Sequence, residues 1–141
     1  MDLNQIKLVQ GSFDKVRPIA DQAASMFYQR LFELDPKLQK LFKGDMVEQG
    51  RKLMGMIAAA VNGLNNLEKL VPVLEALGQR HAGYGVKQAD YAVVAQALLW
   101  TLEQGLKDSF TNEVRGAWTD FYGIAAATMQ AAAARPDGIA E

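Results

Sequence analysis

Apolar residues return at steps of three and four along nearly the whole chain, and no segment keeps up an alternation of period two. That spacing predicts amphipathic helices, each with one face turned inward. Ile6, Val9, Phe13 and Val16 mark the first, which Pro18 closes or kinks. Ala20, Ala24, Phe27 and Leu31 mark the second, with Tyr28 beside Phe27. Asp35-Pro36 reads as an N-cap followed by proline at the first helical position, so a short helix over 36–42 sets off at once in a new direction. Beyond the turn Lys43-Gly44-Asp45, a face carries Gln49, Leu53, Met56, Ile57, Ala60 and Leu64 before Asn65-Asn66 breaks and recaps the chain.

The next stripe is Leu67, Leu70, Leu74, Leu77 and His81, with Pro72 near its first turns. Gly83 and Gly85 follow, residues able to take the left-handed backbone that closes a helix, which puts His81 in the last turn. Tyr91, Val94, Ala95, Leu98, Leu102 and Leu106 define a long helix. Thr111 caps the last one, which carries Val114, Trp118, Phe121, Ala125 and Met129 up to a stop at Arg135-Pro136. No stretch repeats another, and the alanine-rich run from Ala125 to Ala134 reads as strong helix propensity. About seven helices with short connections predict an all-α packed fold, in one domain over 1–141 with 136–141 as a flexible tail.

Composition narrows the function. A chain of 141 residues, half of them hydrophobic, has a globular make-up, and its net charge of −1 advertises neither nucleic acid nor an anionic membrane as partner. It contains no cysteine, which removes disulfides, thiolate chemistry and cysteine-based zinc sites. Met1-Asp2-Leu3-Asn4 has an acid where a signal peptide needs a basic region, and no window holds the roughly 18 apolar residues of a membrane span. The expectation is a soluble cytoplasmic protein.

Three polar side chains fall on apolar stripes: Tyr28, Gln49 and His81, the last being the only histidine. Buried polar groups are costly unless paired, so three aimed at one interior point to something polarisable between them. The single histidine has no serine or cysteine nucleophile at a recognisable elbow, so a hydrolytic triad is not available. Zinc needs three or four ligands of the right type, which this chain cannot supply. A metal held mostly by its own organic ring needs only one, and haem iron with a single axial histidine meets that condition. A neutral imidazole in a last helical turn can donate its Nδ1 proton to the carbonyl near Leu77 and leave Nε2 free as a ligand. The competing reading is a core histidine whose nitrogens are satisfied by neighbours.

The motifs together resemble the globin family over nearly the whole chain. They are Tyr28 within Phe27-Tyr28-Gln29-Arg30-Leu31-Phe32, Asp35-Pro36 leading to Leu41-Phe42, Gln49 through Leu53, Leu77 to Val86, and Ala117-Trp118-Thr119-Asp120-Phe121-Tyr122-Gly123. Among globins the chain is most similar to bacterial single-domain haemoglobins, with a likeness to neuroglobin-type sequences and to the globin parts of flavohaemoglobins. The resemblance implies a globin fold of six to eight helices enclosing a pocket for haem b. It implies His81 as the proximal iron ligand, Phe42 on the haem face, Tyr28 and Gln49 as distal groups facing bound gas, and Leu53 as the wall beside them. It further implies that Lys52 reaches a haem propionate and that Leu77, Val86, Tyr91 and Val94 belong to the cofactor site.

The function so implied is reversible binding of dioxygen, with nitric oxide and carbon monoxide as further ligands. A phenol and an amide can both donate to a ligand that takes up partial negative charge, at roughly 1.5–3 kcal/mol each, which argues for tight binding. The alternative is nitric oxide dioxygenation to nitrate, working with a separate reductase, since no flavin or nicotinamide motif follows the globin part. In that family the proximal histidine is paired with a tyrosine, matched by Tyr91, and a glutamate, whose position falls at about Ala133 here. The third reading is a haem-free interaction module. In it Tyr28 is a core tyrosine, Phe42 and Leu53 are plain core, Lys52 is solvated, and Met54 and Met56 fill gaps. A lone histidine excludes ligation by two histidines of one chain.

Overall fold

Each stripe folds as a helix in the computed structural model, which describes residues 1–134. The α-helices are α1 (Leu3–Val16), α2 (Ala20–Leu34), α3 (Met46–Asn62), α4 (Leu67–Gly83), α5 (Asp90–Leu106) and α6 (Asn112–Ala133). Short 3-10 turns stand at Arg17–Ile19, Pro36–Leu41, Gly63–Asn65 and Lys107–Ser109, and there is no strand among the described residues. No described helix is long and apolar enough to cross a membrane.

Local chemistry sets the ends. Asp2 and Gln5 form a reciprocal capping box on α1. Asp35 accepts from the Lys37 amide at 3.2 Å, Asp45 from Val47 at 2.9 Å and Thr111 from Val114 at 3.2 Å, each occupying a helix-start N–H that has no partner within its helix. Three details depart from the pattern reading. The segment after Asp35 is a 3-10 turn, the form that short connectors favour, and Leu64 leaves α3 for a 3-10 turn while staying buried. Asn66 precedes α4 without a side-chain cap. Of the two glycines expected to close α4 only Gly85 takes a positive φ, +94°, while Gly83 remains helical. The stop at Arg135-Pro136 and the tail over 136–141 lie outside the described residues.

The most extensive helix contacts are α4 with α6 and α2 with α5, followed by α2 with α3 and α1 with α6. Trp118 is the largest fully buried side chain; its Nε1–H donates to the Ser12 hydroxyl at 2.8 Å, which donates on to the Leu8 carbonyl at 2.6 Å. Around it lies the main core of α1, α3, α5 and α6 residues. Two smaller clusters stand apart. Phe27, Tyr28, Leu31, Leu38 and Ala97 form one, and Leu70, Leu74, Leu77 and Met129 form the other. The principal cavity draws its walls from both.

Candidate functional site

The cavity has a volume of about 530 Å³, within the ~300–1,000 Å³ usual for small-molecule and cofactor sites. Phe27, Tyr28 and Leu31 from α2 line it together with Leu38, Leu41 and Phe42. Gln49, Lys52, Leu53 and Met56 come from α3, Leu77, Arg80 and His81 from α4, Tyr84 and Val86 from the loop after it, and Asp90 and Val94 from α5.

His81 is half-buried, and its Nδ1 lies 2.8 Å from the Leu77 carbonyl oxygen. A carbonyl only accepts, so Nδ1 carries the proton and Nε2 keeps its lone pair. No hydrogen bond to Nε2 occurs among the described residues. Burial pushes the imidazole below its ordinary pKa of 6.5, partly offset by the Leu77 bond and reinforced by the Arg80 charge, so the ring is neutral at neutral pH.

Tyr28 is buried, and its hydroxyl accepts from Gln49 Nε2 at 3.3 Å. Its own O–H has no acceptor among the described residues. Burial raises the phenol above its usual value against the smaller effect of the Gln49 bond, so the proton stays on. An aromatic cage holds the ring: Phe27 at 5.1 Å and Phe42 at 5.2 Å, both edge-on, and Phe32 at 6.0 Å between centroids. The pocket therefore combines a fixed proton donor, an amide and an imidazole lone pair on otherwise apolar walls. The rim is charged. Lys52 Nζ stands 3.9 Å from Glu48, and Asp90 accepts from the Lys87 amide at 2.8 Å, closing the loop after α4.

Of the residues that the sequence nominates, Tyr28, Phe42, Gln49, Lys52, Leu53, Leu77, His81, Val86 and Val94 meet in this cavity. Tyr91 is not in its wall. Its side chain packs against the cluster of Leu70, Leu74, Leu77 and Met129, and its main-chain oxygen accepts the Tyr122 hydroxyl at 2.8 Å. Ala133 lies about three turns beyond Tyr122 on α6, so the α6 group that reaches the start of α5 is a phenol and no carboxylate. Phe27, Leu31 and Met56 were missed as pocket residues although they share the stripes of Tyr28 and Gln49, which was the available signal. Arg80, Tyr84 and Asp90 belong to exposed or rim positions, where periodicity carries none. Met56 faces the cavity, whereas Met54 lines a small apolar gap beside Trp118.

No group of three His, Cys, Asp or Glu side chains that could hold a metal ion occurs among the described residues. The donor set fits a planar group that brings its own equatorial ligands and takes one nitrogen from the protein. Six packed α-helices around such a cavity define an all-α protein with a large cavity between its helices.

The Globin family model matches residues 25–129. The chain is 32% identical over 137 residues to neuroglobin of Tetraodon nigroviridis, covering 87% of this chain and 86% of that protein. Over the same span it is 31% identical to neuroglobin of Chaenocephalus aceratus and to neuroglobin-2 of Oncorhynchus mykiss. The fold is similar to that of a hexacoordinated heme protein from an anhydrobiotic tardigrade, solved at pH 4, with a TM-score of 0.87, 14% identity and 96% of each chain covered. The chain belongs to the globin family.

Proposed function

We propose that this globin domain is soluble and cytoplasmic, holds haem b through His81 and binds dioxygen and other diatomic gases reversibly. The observation that carries this reading is the placement of the only histidine: it lines the large cavity with Nδ1 committed to its own helix and Nε2 without a partner among the described residues. The neuroglobin relatives and the heme protein of similar fold support it. Haem, if bound, would supply an iron centre able to take up a diatomic gas.

The chain's own residues do the rest. Leu77 fixes the ring plane and tautomer of His81, so that the lone pair is presented to the cavity without a rotamer search. Phe42, Leu53, Leu77, Val86 and Val94 supply apolar surface for a flat macrocycle, and Lys52 at the rim matches its carboxylates. Tyr28 keeps a proton ready for a ligand that gains negative charge on binding, and Gln49, by donating to the same hydroxyl, makes that proton a better donor. A hydrogen bond to such a ligand at roughly 1.5–3 kcal/mol slows its escape tenfold or more, favouring retention over delivery. Equilibrating the reduced, haem-loaded protein with air and then argon tests reversibility. The spectrum should cycle between two states through shared isosbestic points, and bleaching or no change would contradict it.

The Tyr28–Gln49 pair favours a second activity, nitric oxide dioxygenation. Nitric oxide and dioxygen would combine to nitrate with one electron supplied by the bound group, and a separate reductase would have to restore that electron. Stoichiometric nitrate on mixing the oxygenated protein with nitric oxide supports this activity, and its absence with carbon monoxide binding intact leaves storage.

A further inference from the structure

The helix that carries His81 meets α6 backbone to backbone at one residue. At Gly78, one turn before His81, the backbone of α4 lies directly on the backbone of α6. A Cβ placed there would stand 2.2 Å from the Met129 carbonyl oxygen, 2.6 Å from Met129 Cα and 2.7 Å from its carbonyl carbon. These are main-chain atoms inside a 22-residue helix, so no side chain can swing aside. The backbone itself does not ask for glycine, since among the described glycines only Gly85 has a positive φ. Glycine weakens a helix interior, and here it has a contact to justify it. Gly83 on the same helix has nothing within 4 Å of its Cβ position.

A second tie runs from α6 to the other side of the histidine. The Tyr122 hydroxyl donates to the Tyr91 main-chain oxygen at 2.8 Å, pinning the first turn of α5 and with it the far end of the loop that follows His81.

We propose that Gly78 is a positioning residue: its backbone seat on Met129 sets how far His81 stands into the cavity, and Tyr122 fixes the loop beyond. The inference rests on the reading of His81 as the cavity's ligand. Opening the 2.2 Å separation to the 3.0 Å that real Cβ atoms keep moves α4 off α6 by 0.8 Å, the difference of the two. Leu77 and His81, which line the cavity, travel with it. Binding constellations work within about 0.5 Å of their productive geometry, so a shift of this size matters.

The single histidine makes its imidazole proton resonance a unique reporter, readable in the haem-free protein. Gly78→Ala and Gly83→Ala are compared with wild type in three measurements: thermal unfolding, the imidazole resonance without haem, and the iron–histidine stretching band of the reduced, haem-loaded protein. The expected result is a folded Gly78→Ala protein with a displaced imidazole resonance, a shifted or broadened stretching band and at least tenfold faster haem loss, and a Gly83→Ala protein that behaves as wild type. A folded Gly78→Ala protein with both signals unchanged overturns the proposal, as does a Gly83→Ala protein perturbed equally. Should Gly78→Ala not fold, Tyr122→Phe takes its place: a displaced imidazole resonance supports the two-sided support of His81, and an unchanged one overturns it. Failure of wild type to take up haem contradicts the haem reading alone, since the resonance still reports on Gly78.

Discussion

Tyr28→Phe removes one oxygen atom and leaves the shape of the pocket in place. The ring stays in its cage of Phe27, Phe32 and Phe42, so packing is preserved. What disappears is a hydroxyl that accepts one bond, from Gln49 at 3.3 Å, and has its own proton uncommitted among the described residues. That bond is longer than the usual 2.9–3.0 Å, so the gas-free protein should change in stability by no more than about 1 kcal/mol. The gas complex should lose much more. A donor to a partly charged ligand contributes roughly 1.5–3 kcal/mol, and with about 1.4 kcal/mol per tenfold, dioxygen release should accelerate about 10- to 150-fold. Stopped-flow displacement of dioxygen by excess carbon monoxide measures this directly, with thermal unfolding run in parallel. Carbon monoxide takes up little charge, and its own release should change far less. Dioxygen release within about threefold of wild type, in a protein that melts normally, would show that Tyr28 does not meet the ligand.

Two further predictions concern the scaffold. Tyr28, Tyr91 and Tyr122 are all held above the ordinary phenol value of 10.0, chiefly by burial. The folded state therefore keeps protons that the unfolded chain releases, and this stability is fully present below about pH 10 and is lost as pH rises through the folded values. Urea midpoints from about pH 9 to about pH 11 should fall, less steeply in Tyr28→Phe; an equal slope in both removes Tyr28 from the effect. Ser12→Ala leaves the fully buried Trp118 Nε1–H without its acceptor and should cost about 1–3 kcal/mol. A loss below about 0.5 kcal/mol in thermal unfolding would mean that another group takes over that bond.

Much of this architecture is legible in the chain because helices advertise themselves through spacing. The stripes named every α-helix, and Asp35 and Thr111 announced helix starts through chemistry that acts within a few residues. The hydrogen bond from His81 to Leu77 was legible for the same reason: both ends lie on one helix. Contacts between helices were not. Leu74 and Leu77 share a stripe and one cluster with Met129 of α6, yet only Leu77 also lines the cavity. Tyr91 carried the right residue type at a family spacing, but its packing places it behind the pocket wall. Gly78 reads in the sequence as a weak spot in a helix, and only α6 laid across it reveals the contact. Arg80, Tyr84 and Asp90 sit at the rim, where burial periodicity gives no signal.

The central claim is that the cavity is a haem site built on His81, and titrating the purified protein with haem, before and after reduction and carbon monoxide, tests it most directly. Wild type should saturate at one haem per chain with a sharp Soret band that shifts on carbon monoxide, and His81→Ala should lose that band or shift it to that of a weakly held, differently ligated haem. No saturable band in wild type, or identical spectra in the two proteins, would make His81 a core residue and the cavity a site for something else.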